Sequence, residues 1–300
     1  MKETENNEWK VTGETLIKNE KTPEIDIIRK RHHNQKYDIN FSIFEDANTE
    51  EFAYFLGFFY ADGYNNEKSG HINISLKYKD LEILEKFSKL FFGNRPIRIS
   101  SVRCQTNKDN KICSLSIGNR ELTKILSNYG APQKKTFKIR FPFWLNKNLQ
   151  RHFIRGYFDG DGSIMKNKNN HSLNLVGNLE FNTELKSVIK DLINLDFGLI
   201  KQDKVTLLYK GGNRNTQKFL DWLYEDCKLF LVRKYNRYKG LLVERNRVKN
   251  LYSYVYYSPK NNKWISRLSS KHNRKWIGQY NTKEEAIYAY NSHPLAIHYS

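Results

Sequence analysis

Two apolar segments, each ending on Asp-Gly, dominate the hydrophobic pattern of the chain. The first runs from Phe55 to Gly63 and the second from Ile154 to Gly162, and both have apolar residues at helical spacing. Asp161 follows Asp62 by 99 residues, and similar sequence patterns follow both segments. We interpret the chain as a duplicated unit whose copies meet at these two helices.

The periodicity of the first copy predicts mixed helices and strands. Its opening helix would have Asn48 as N-cap and Glu51 at N3, and would end at Gly63. Residues 71–77 alternate between polar and apolar side chains, which predicts a half-buried strand. A helix over 80–92, strands near 97–105 and 111–117, and a helix over 121–129 complete the copy.

The same order begins again after Pro142, which indicates one duplicated domain because the period is too long for a solenoid. The predicted elements are a helix over 149–159, strands near 163–167 and 172–177, a helix over 180–195, strands at 199–203 and 205–210, and a helix over 215–225.

The last fifty residues have a different pattern. Three short strands are predicted near 254–257, 263–268 and 275–280, and Thr282 with Glu285 forms a capping box that opens a helix. We therefore predict an N-terminal extension over 1–45, half-domains over 46–145 and 146–250, and a small domain over 251–300.

The charge of the chain favours a polyanionic partner. Lys and Arg number 51 against 32 Asp and Glu, giving a formal net charge of +19, and nucleic acid is the commonest intracellular polyanion. A lysine-rich composition inherited from an AT-rich genome is the alternative explanation. No apolar run is long enough to cross a membrane, and the polar, acidic N-terminus differs from a signal peptide.

Three cysteines without CxxC spacing predict reduced thiols in an intracellular, cytosol-like compartment. Phage, bacterial and organellar hosts all remain open.

The aspartates at the helix ends indicate a metal site. A carboxylate is electrostatically misplaced at a helix C-terminus, and two brought together would repel each other. A divalent cation such as Mg²⁺ would offset that repulsion. The predicted helix contact consists of small residues one turn apart, which let two backbones approach closely: Gly57, Ala61, Gly156 and Gly160.

Two lysines extend the repeat, since Lys135 and Lys234 each follow their aspartate by 73 residues. Near a metal-bound phosphodiester they could stabilise the phosphorane charge or polarise the attacking water. The alternative interpretation is that Asp-Gly only ends each helix and that the small residues only ease packing.

Leu56–Gly63 and Ile154–Gly162 resemble the two signature motifs of LAGLIDADG homing endonucleases in the single-chain, two-repeat form. The resemblance covers residues 45–245 and implies that Asp62 and Asp161 are metal ligands. Tyr60 replaces the earlier aspartate of the motif, and its counterpart Asp159 is interpreted as structural.

The resemblance also implies two αββαββα halves, whose sheets would form a saddle over the major groove of DNA. Polar residues on predicted strands fit such a surface. The candidate DNA contacts are His71, Asn73, Ser75, Lys77, Arg103 and Gln105, although a plain solvated face is the alternative for each.

Residues 276–291 resemble the AP2 DNA-binding domain, a family whose sheet lies in the major groove. Arg274 and Trp276 match positions that contact DNA there, although tyrosines stand where the first strand of that family has arginines. We expect an auxiliary DNA-binding module, with a structural cap on the core as the alternative.

The leading hypothesis is a monomeric, Mg²⁺-dependent endonuclease that cuts double-stranded DNA at a long specific site. The alternatives are a group I intron maturase, which would bind intron RNA with the same scaffold, and a DNA-binding regulator that does not cleave.

Overall fold

Two consecutive copies of one element order make up most of the computed structural model. A short helix, α1 (Phe41–Glu45), precedes them. The first copy consists of α2 (Glu50–Asp62), β1 (Gly63–Asn66), β2 (His71–Lys77), α3 (Leu81–Phe91), β3 (Arg98–Ser101), β4 (Lys111–Gly118) and α4 (Arg120–Asn128). The second consists of α5 (Lys147–Asp161), β5 (Gly162–Asn167), β6 (Asn170–Gly177), α6 (Leu179–Ile193), β7 (Gly198–Lys201), β8 (Thr206–Gly211) and α7 (Asn213–Tyr224), and α8 (Val232–Val248) follows.

The structure describes residues 37–101, 111–167, 170–203, 205–248, 255–269 and 274–293. The chain divides into two compact units, residues 1–235 and 236–300. The predicted N-terminal extension lies mostly outside the described residues. No helix in the described ranges has the length and hydropathy needed to cross a bilayer.

Each copy forms its own four-stranded antiparallel sheet, and the two sheets have equivalent strand orders. The first is β1-β2-β4-β3 and the second is β5-β6-β8-β7. Buried residues of β2 and β4 face the core of the first half, where α1, α2 and α3 contribute a cluster of aromatic rings. That cluster, packed edge-to-face and tilted, comprises Phe44, Phe52, Phe55, Phe87 and Phe91.

In the second unit, a three-stranded antiparallel sheet and one helix follow the C-terminal part of α8. Its strands are β9 (Val255–Ser258), β10 (Lys263–Ser269) and β11 (Arg274–Tyr280), in the order β11-β10-β9, and α9 (Lys283–Asn291) follows. The Thr282 side chain accepts from the Glu285 amide while the Glu285 side chain accepts from the Thr282 amide. The predicted capping box and the predicted α+β fold, with two pseudosymmetric halves and a small terminal sheet, are confirmed.

Two predictions at the ends of α2 were wrong. Its N-cap is Thr49, whose side chain accepts from the Phe52 amide, whereas the Asn48 side chain accepts from Asn146. Gly63 has φ −74° and ψ 145°, so it does not adopt the left-handed conformation of a glycine stop. The chain instead passes directly from α2 into β1, a strand whose four residues show too little alternation to be predicted from periodicity.

Candidate active site at the paired helix ends

Helices α2 and α5 cross with their backbones in direct contact. A Cβ added at Gly57 would lie 2.0 Å from the Phe153 carbonyl oxygen, and one at Gly156 would lie 2.0 Å from the Tyr54 carbonyl oxygen. Both distances are far below any van der Waals separation. The absence of a side chain at both positions is therefore a condition for this crossing.

The contact continues to the C-terminal ends of the helices. A Cβ at Gly160 would lie 2.3 Å from the Ala61 Cβ and 3.1 Å from Asp62 Oδ2. Gly160 directly precedes Asp161, so the two aspartates occupy neighbouring helix ends. The structure thus brings together the four small residues and both carboxylates that the sequence singled out.

The two carboxylates share a partly dehydrated environment. Burial and, next, the neighbouring Asp62 charge raise the pKa of Asp161 to about 6, although Lys135 and Lys234 oppose the shift. Asp62 keeps exposed surface, but partial burial raises its pKa as well, against the same two lysines. The site therefore holds negative charge at a free-energy cost.

Each lysine caps the helix whose aspartate it follows. Lys135 Nζ donates to the carbonyls of Tyr60 (2.7 Å) and Ala61 (2.6 Å) at the end of α2. Lys234 Nζ donates to those of Phe158 (2.5 Å), Gly160 (3.2 Å) and Gly162 at the end of α5. The ammonium groups thus bind carbonyls at the C-terminal ends of both helices and oppose the negative end of each helix dipole.

This placement adds a role that sequence reasoning missed. The sequence pattern favoured a cation as the group that offsets the helix dipole, whereas the lysines already supply part of that positive charge. Burial lowers the pKa of both lysines, to about 8 for Lys234. Lys134, the other basic residue of its dipeptide, is exposed and has φ 57°, so Lys135 is the residue directed at the site.

Asp62 and Asp161 fit a divalent cation, for which they would supply part of the ligand set. No group of three or more His, Cys, Asp and Glu gathers into a metal-binding cluster within the described ranges. Mg²⁺ is commonly bound through only one or two carboxylates, with waters and substrate phosphates completing its octahedron. Burial raises the pKa of both carboxylates, and the charge of Asp62 raises that of Asp161 further, so the pair supplies hard oxygen ligands and a reason for a cation to bind.

Asp159 is fully buried and holds elements of both halves together. Its Oδ2 accepts from Tyr54 Oη (2.7 Å) and the Leu231 amide (2.8 Å), and its Oδ1 accepts from Tyr224 Oη (2.6 Å). This geometry agrees with a structural role, and it directs the carboxylate away from the Asp62–Asp161 pair. The charged neighbour Arg155 is equally buried and stacks over the Tyr54 ring.

Arg155 forms a second buried link between the halves. Its Nη2 donates to Glu50 Oε1 at 2.8 Å, and its Nε donates to the Leu229 carbonyl at 2.8 Å. Sequence reasoning passed over this residue. The signal was an arginine within the otherwise apolar stretch Phe153–Phe158, since a charge at such a position requires buried partners.

One face of the first sheet presents the polar residues that were predicted as DNA contacts. His71 and Asn73 are partly exposed on β2, and Ser75 and Lys77 are exposed. Asn73 Nδ2 donates to Ser75 Oγ, Ser75 shares a hydrogen bond with Ser114, and Ser116 donates to Asn73. A fixed row of hydroxyl and amide groups therefore covers this face.

The corresponding face of the second sheet is more apolar. Its exposed side chains include Met165 (39%), Ile200 (45%) and Tyr209 (37%). Asn174 lies opposite both Ser163 and Tyr209, and its amide donates to the Met165 sulfur. The two halves thus share a topology but offer different chemistry on their open faces.

The remaining predicted contacts are only partly described. Arg103 and Gln105 lie outside the described residues, as does the side chain of Arg274 on β11. Trp276 is 46% exposed, and the Arg267 guanidinium lies between its ring and that of Tyr256, 5.2 Å and 5.3 Å from the centroids. The sheet of the second unit therefore carries an arginine held between two exposed aromatic rings.

A known protein family matches the second half of the repeat. The family profile described as "LAGLIDADG-like domain" matches residues 148–261. That stretch includes α5 with Asp161, the second sheet and Lys234. A LAGLIDADG-like domain is thus identified over this part of the chain.

Curated relatives share only a fragment with the chain. The replication factor C small subunit of Methanocaldococcus jannaschii is 26% identical over 175 residues, which are 58% of this chain and 8% of that protein. The tRNA-splicing ligase RtcB of Pyrococcus furiosus is 29% identical over 139 residues, 41% of this chain and 14% of that protein. The chain therefore matches about a tenth of the length of these relatives.

Solved structures with LAGLIDADG domains are similar at low identity. The N-terminal LAGLIDADG domain of DUF199/WhiA is 20% identical with a TM-score of 0.43, and the match covers 64% of this chain and 91% of that one. The I-LtrWI homing endonuclease bound to target DNA is 14% identical with a TM-score of 0.43, covering 67% and 92%.

Proposed function

We propose that the protein is a site-specific, metal-dependent endonuclease that hydrolyses both strands of a DNA duplex, in the manner of a homing endonuclease. The observation that carries the proposal is the pair Asp62 and Asp161 on two helix ends in backbone contact, each end capped by its own lysine. A purely structural Asp-Gly terminus would not require two mutually repelling carboxylates at one place.

Asp62 and Asp161 are the residues that would hold the Mg²⁺ ions. When bound there, the metal supplies Lewis-acid stabilisation of the phosphodiester and lowers the pKa of a bound water. The two lysines keep positive charge within the site while they fix the helix ends. A phosphate entering this site would meet groups whose positions are already set, which is the condition for electrostatic catalysis.

The open sheet faces are the surfaces we assign to DNA. The hydroxyl and amide row led by Asn73 and Ser75 offers donors and acceptors to base edges. Residues 236–300 carry 12 Lys and Arg against three Asp and Glu, and the arginine between aromatic rings suits contacts with phosphates or bases. We expect a monomer with an auxiliary DNA-binding unit at its C-terminus.

A non-cleaving DNA-binding protein is the second candidate, because main-chain carbonyls already occupy both lysine ammonium groups. A maturase that binds intron RNA would use the same scaffold and the same positive charge. The flanking sequence of the gene would identify an intron, and a splicing assay with that intron would test the maturase directly.

Cleavage of a random duplex library by the whole protein with Mg²⁺ tests the leading proposal. Sequencing the cut ends would define the site, and Asp62→Asn and Asp161→Asn should abolish double-strand cutting while leaving binding measurable. Asp191→Asn, which alters an exposed aspartate paired with Lys147, is the matched control and should cut normally. Unaltered cutting by both site variants, or binding without cutting by the native chain, would refute the nuclease proposal.

A further inference from the structure

Two loops bring the lysines to the helix ends, and side chains from the motif segments and from β1 hold these loops. The first lysine loop (residues 129–135) follows α4. Tyr60 Oη donates to the Tyr129 carbonyl at 2.7 Å, and Asn65 Nδ2 donates to the Ala131 carbonyl at 2.9 Å. Tyr60 and Asn65 are both 2% exposed, so these contacts are shielded from water.

The second lysine loop (residues 225–231) follows α7, leads into the first turn of α8, where Lys234 lies, and is held at two points as well. Arg155 Nε donates to the Leu229 carbonyl, and the Leu231 amide donates to Asp159 Oδ2, each at 2.8 Å. The Leu231 carbonyl in turn accepts from the Lys234 amide at 3.0 Å. The contact at Leu231 therefore lies one hydrogen bond from the lysine itself.

Tyr60 and Asp159 occupy the same position in their segments, two residues before the terminal aspartate. Each contacts the main chain of its lysine loop, but with opposite polarity. Tyr60 donates to a carbonyl, and Asp159 accepts from an amide. The different residue types thus match the different main-chain groups that the two loops present.

We propose that Tyr60 and Asp159 are positioning residues, each of which fixes a lysine loop so that Lys135 or Lys234 stays on the carbonyls of its own helix end. The hydrogen bonds given above join both side chains to the main chain of the loops. Their effect reaches the site through the loop and the lysine. Tyr54 and Tyr224 hold Asp159 in turn, so the second loop depends on residues of both halves.

The positioning of the lysines by Tyr60 and Asp159 does not depend on the proposed nuclease function. Any effect of these residues on cleavage does rest on that function. The first test therefore measures lysine exposure. Reductive methylation of the whole native chain, followed by peptide mass spectrometry, reports how often each ammonium leaves its carbonyls. Tyr60→Phe removes the first anchor, and Asp159→Asn weakens the second by exchanging the charged acceptor of the Leu231 amide for a neutral one, both with little change of shape.

We expect Tyr60→Phe to raise the labelling rate of Lys135 about tenfold, the effect of losing one buried hydrogen bond, while Lys234 labels as in the native chain. Asp159→Asn should raise labelling of Lys234 and leave Lys135 unchanged. Should Asp159→Asn fail to fold by far-UV circular dichroism, Tyr224→Phe removes one donor to the same carboxylate and should raise Lys234 labelling alone. Equal increases at both lysines, or no increase at either, would overturn the proposal.

Strand-resolved nicking provides the second measurement once a cleaved site is known. The two anchor variants should slow the cleavage of opposite strands, a difference that a general loss of stability would not produce. Equal slowing of both strands would count against positioning. Selective labelling in a chain that cuts no DNA would instead support positioning and refute the nuclease.

Discussion

The cost of holding Asp161 ionised gives a quantitative prediction. Its folded-state pKa is about 6, against an ordinary value of 3.8. A tenfold change in an acid dissociation constant corresponds to about 1.4 kcal/mol, so the ionised carboxylate costs at most about 3 kcal/mol at pH 7.5, since part of its surface stays exposed. Asp161→Asn removes that charge and should raise the free energy of unfolding by up to this amount.

The pH dependence has a defined sign. A raised carboxyl pKa means that the folded state binds more protons than the unfolded state between pH 3.8 and 6. The native chain should therefore lose stability relative to Asp161→Asn as pH rises through that window. The advantage of the variant should fall below about 1 kcal/mol at pH 4.

Urea denaturation at pH 7.5 and pH 4, in the presence of a chelator, would measure both values. Asp191→Asn serves as the control, because an exposed ion pair contributes only about 0–1 kcal/mol. A site variant that is less stable than the native chain at pH 7.5, or whose advantage does not shrink at pH 4, would refute the reasoning.

Three further predictions concern the same helices. Gly57→Ala should lower the free energy of unfolding by about 3 kcal/mol or more, because the added Cβ would meet a fixed carbonyl. Gly118→Ala should be near neutral, because a Cβ there has nothing within 4 Å, and thermal melts would compare the two variants. Glu50→Ala should lower the free energy of unfolding by about 3–5 kcal/mol, because it leaves the charge of Arg155 buried and unpaired. Glu225→Ala, which breaks a more exposed pair, should lower it by less than about 1 kcal/mol, and urea denaturation would measure both. Mg²⁺ should raise the melting temperature of the native chain but not that of a variant lacking both site aspartates, and calorimetry that detects equal stabilisation of the two would contradict the metal site.

Much of the fold could be predicted because its elements follow simple periodicities. Strand β2 has the predicted bounds, 71–77, since strict alternation leaves little freedom in its register. The capping box at Thr282 was equally predictable, because its two hydrogen bonds are local in sequence. Strand β1 was missed in the first half, since its four residues pair with β2 through tertiary contacts that no local pattern encodes.

The candidate site could be predicted only in part. Asp62 and Asp161 were found because their segments repeat, and the small residues indicated where the helices meet. The capping role of Lys135 was not accessible, because the sequence offset of 73 residues gives proximity to the aspartate but not the direction of the ammonium group. The network around Arg155 was also missed, since its partners come from distant segments.

The two sheet faces have a consequence for the direction in which the protein could lie on DNA. One face is a row of hydroxyl and amide groups, and the other exposes Met165, Ile200 and Tyr209. Thymine methyl groups suit the second face, and donor-rich and acceptor-rich base edges suit the first. A palindromic duplex would match only one of the two sheets at a time, so the preferred duplex would bind in a single orientation. The sequences of its two half-sites could then change independently.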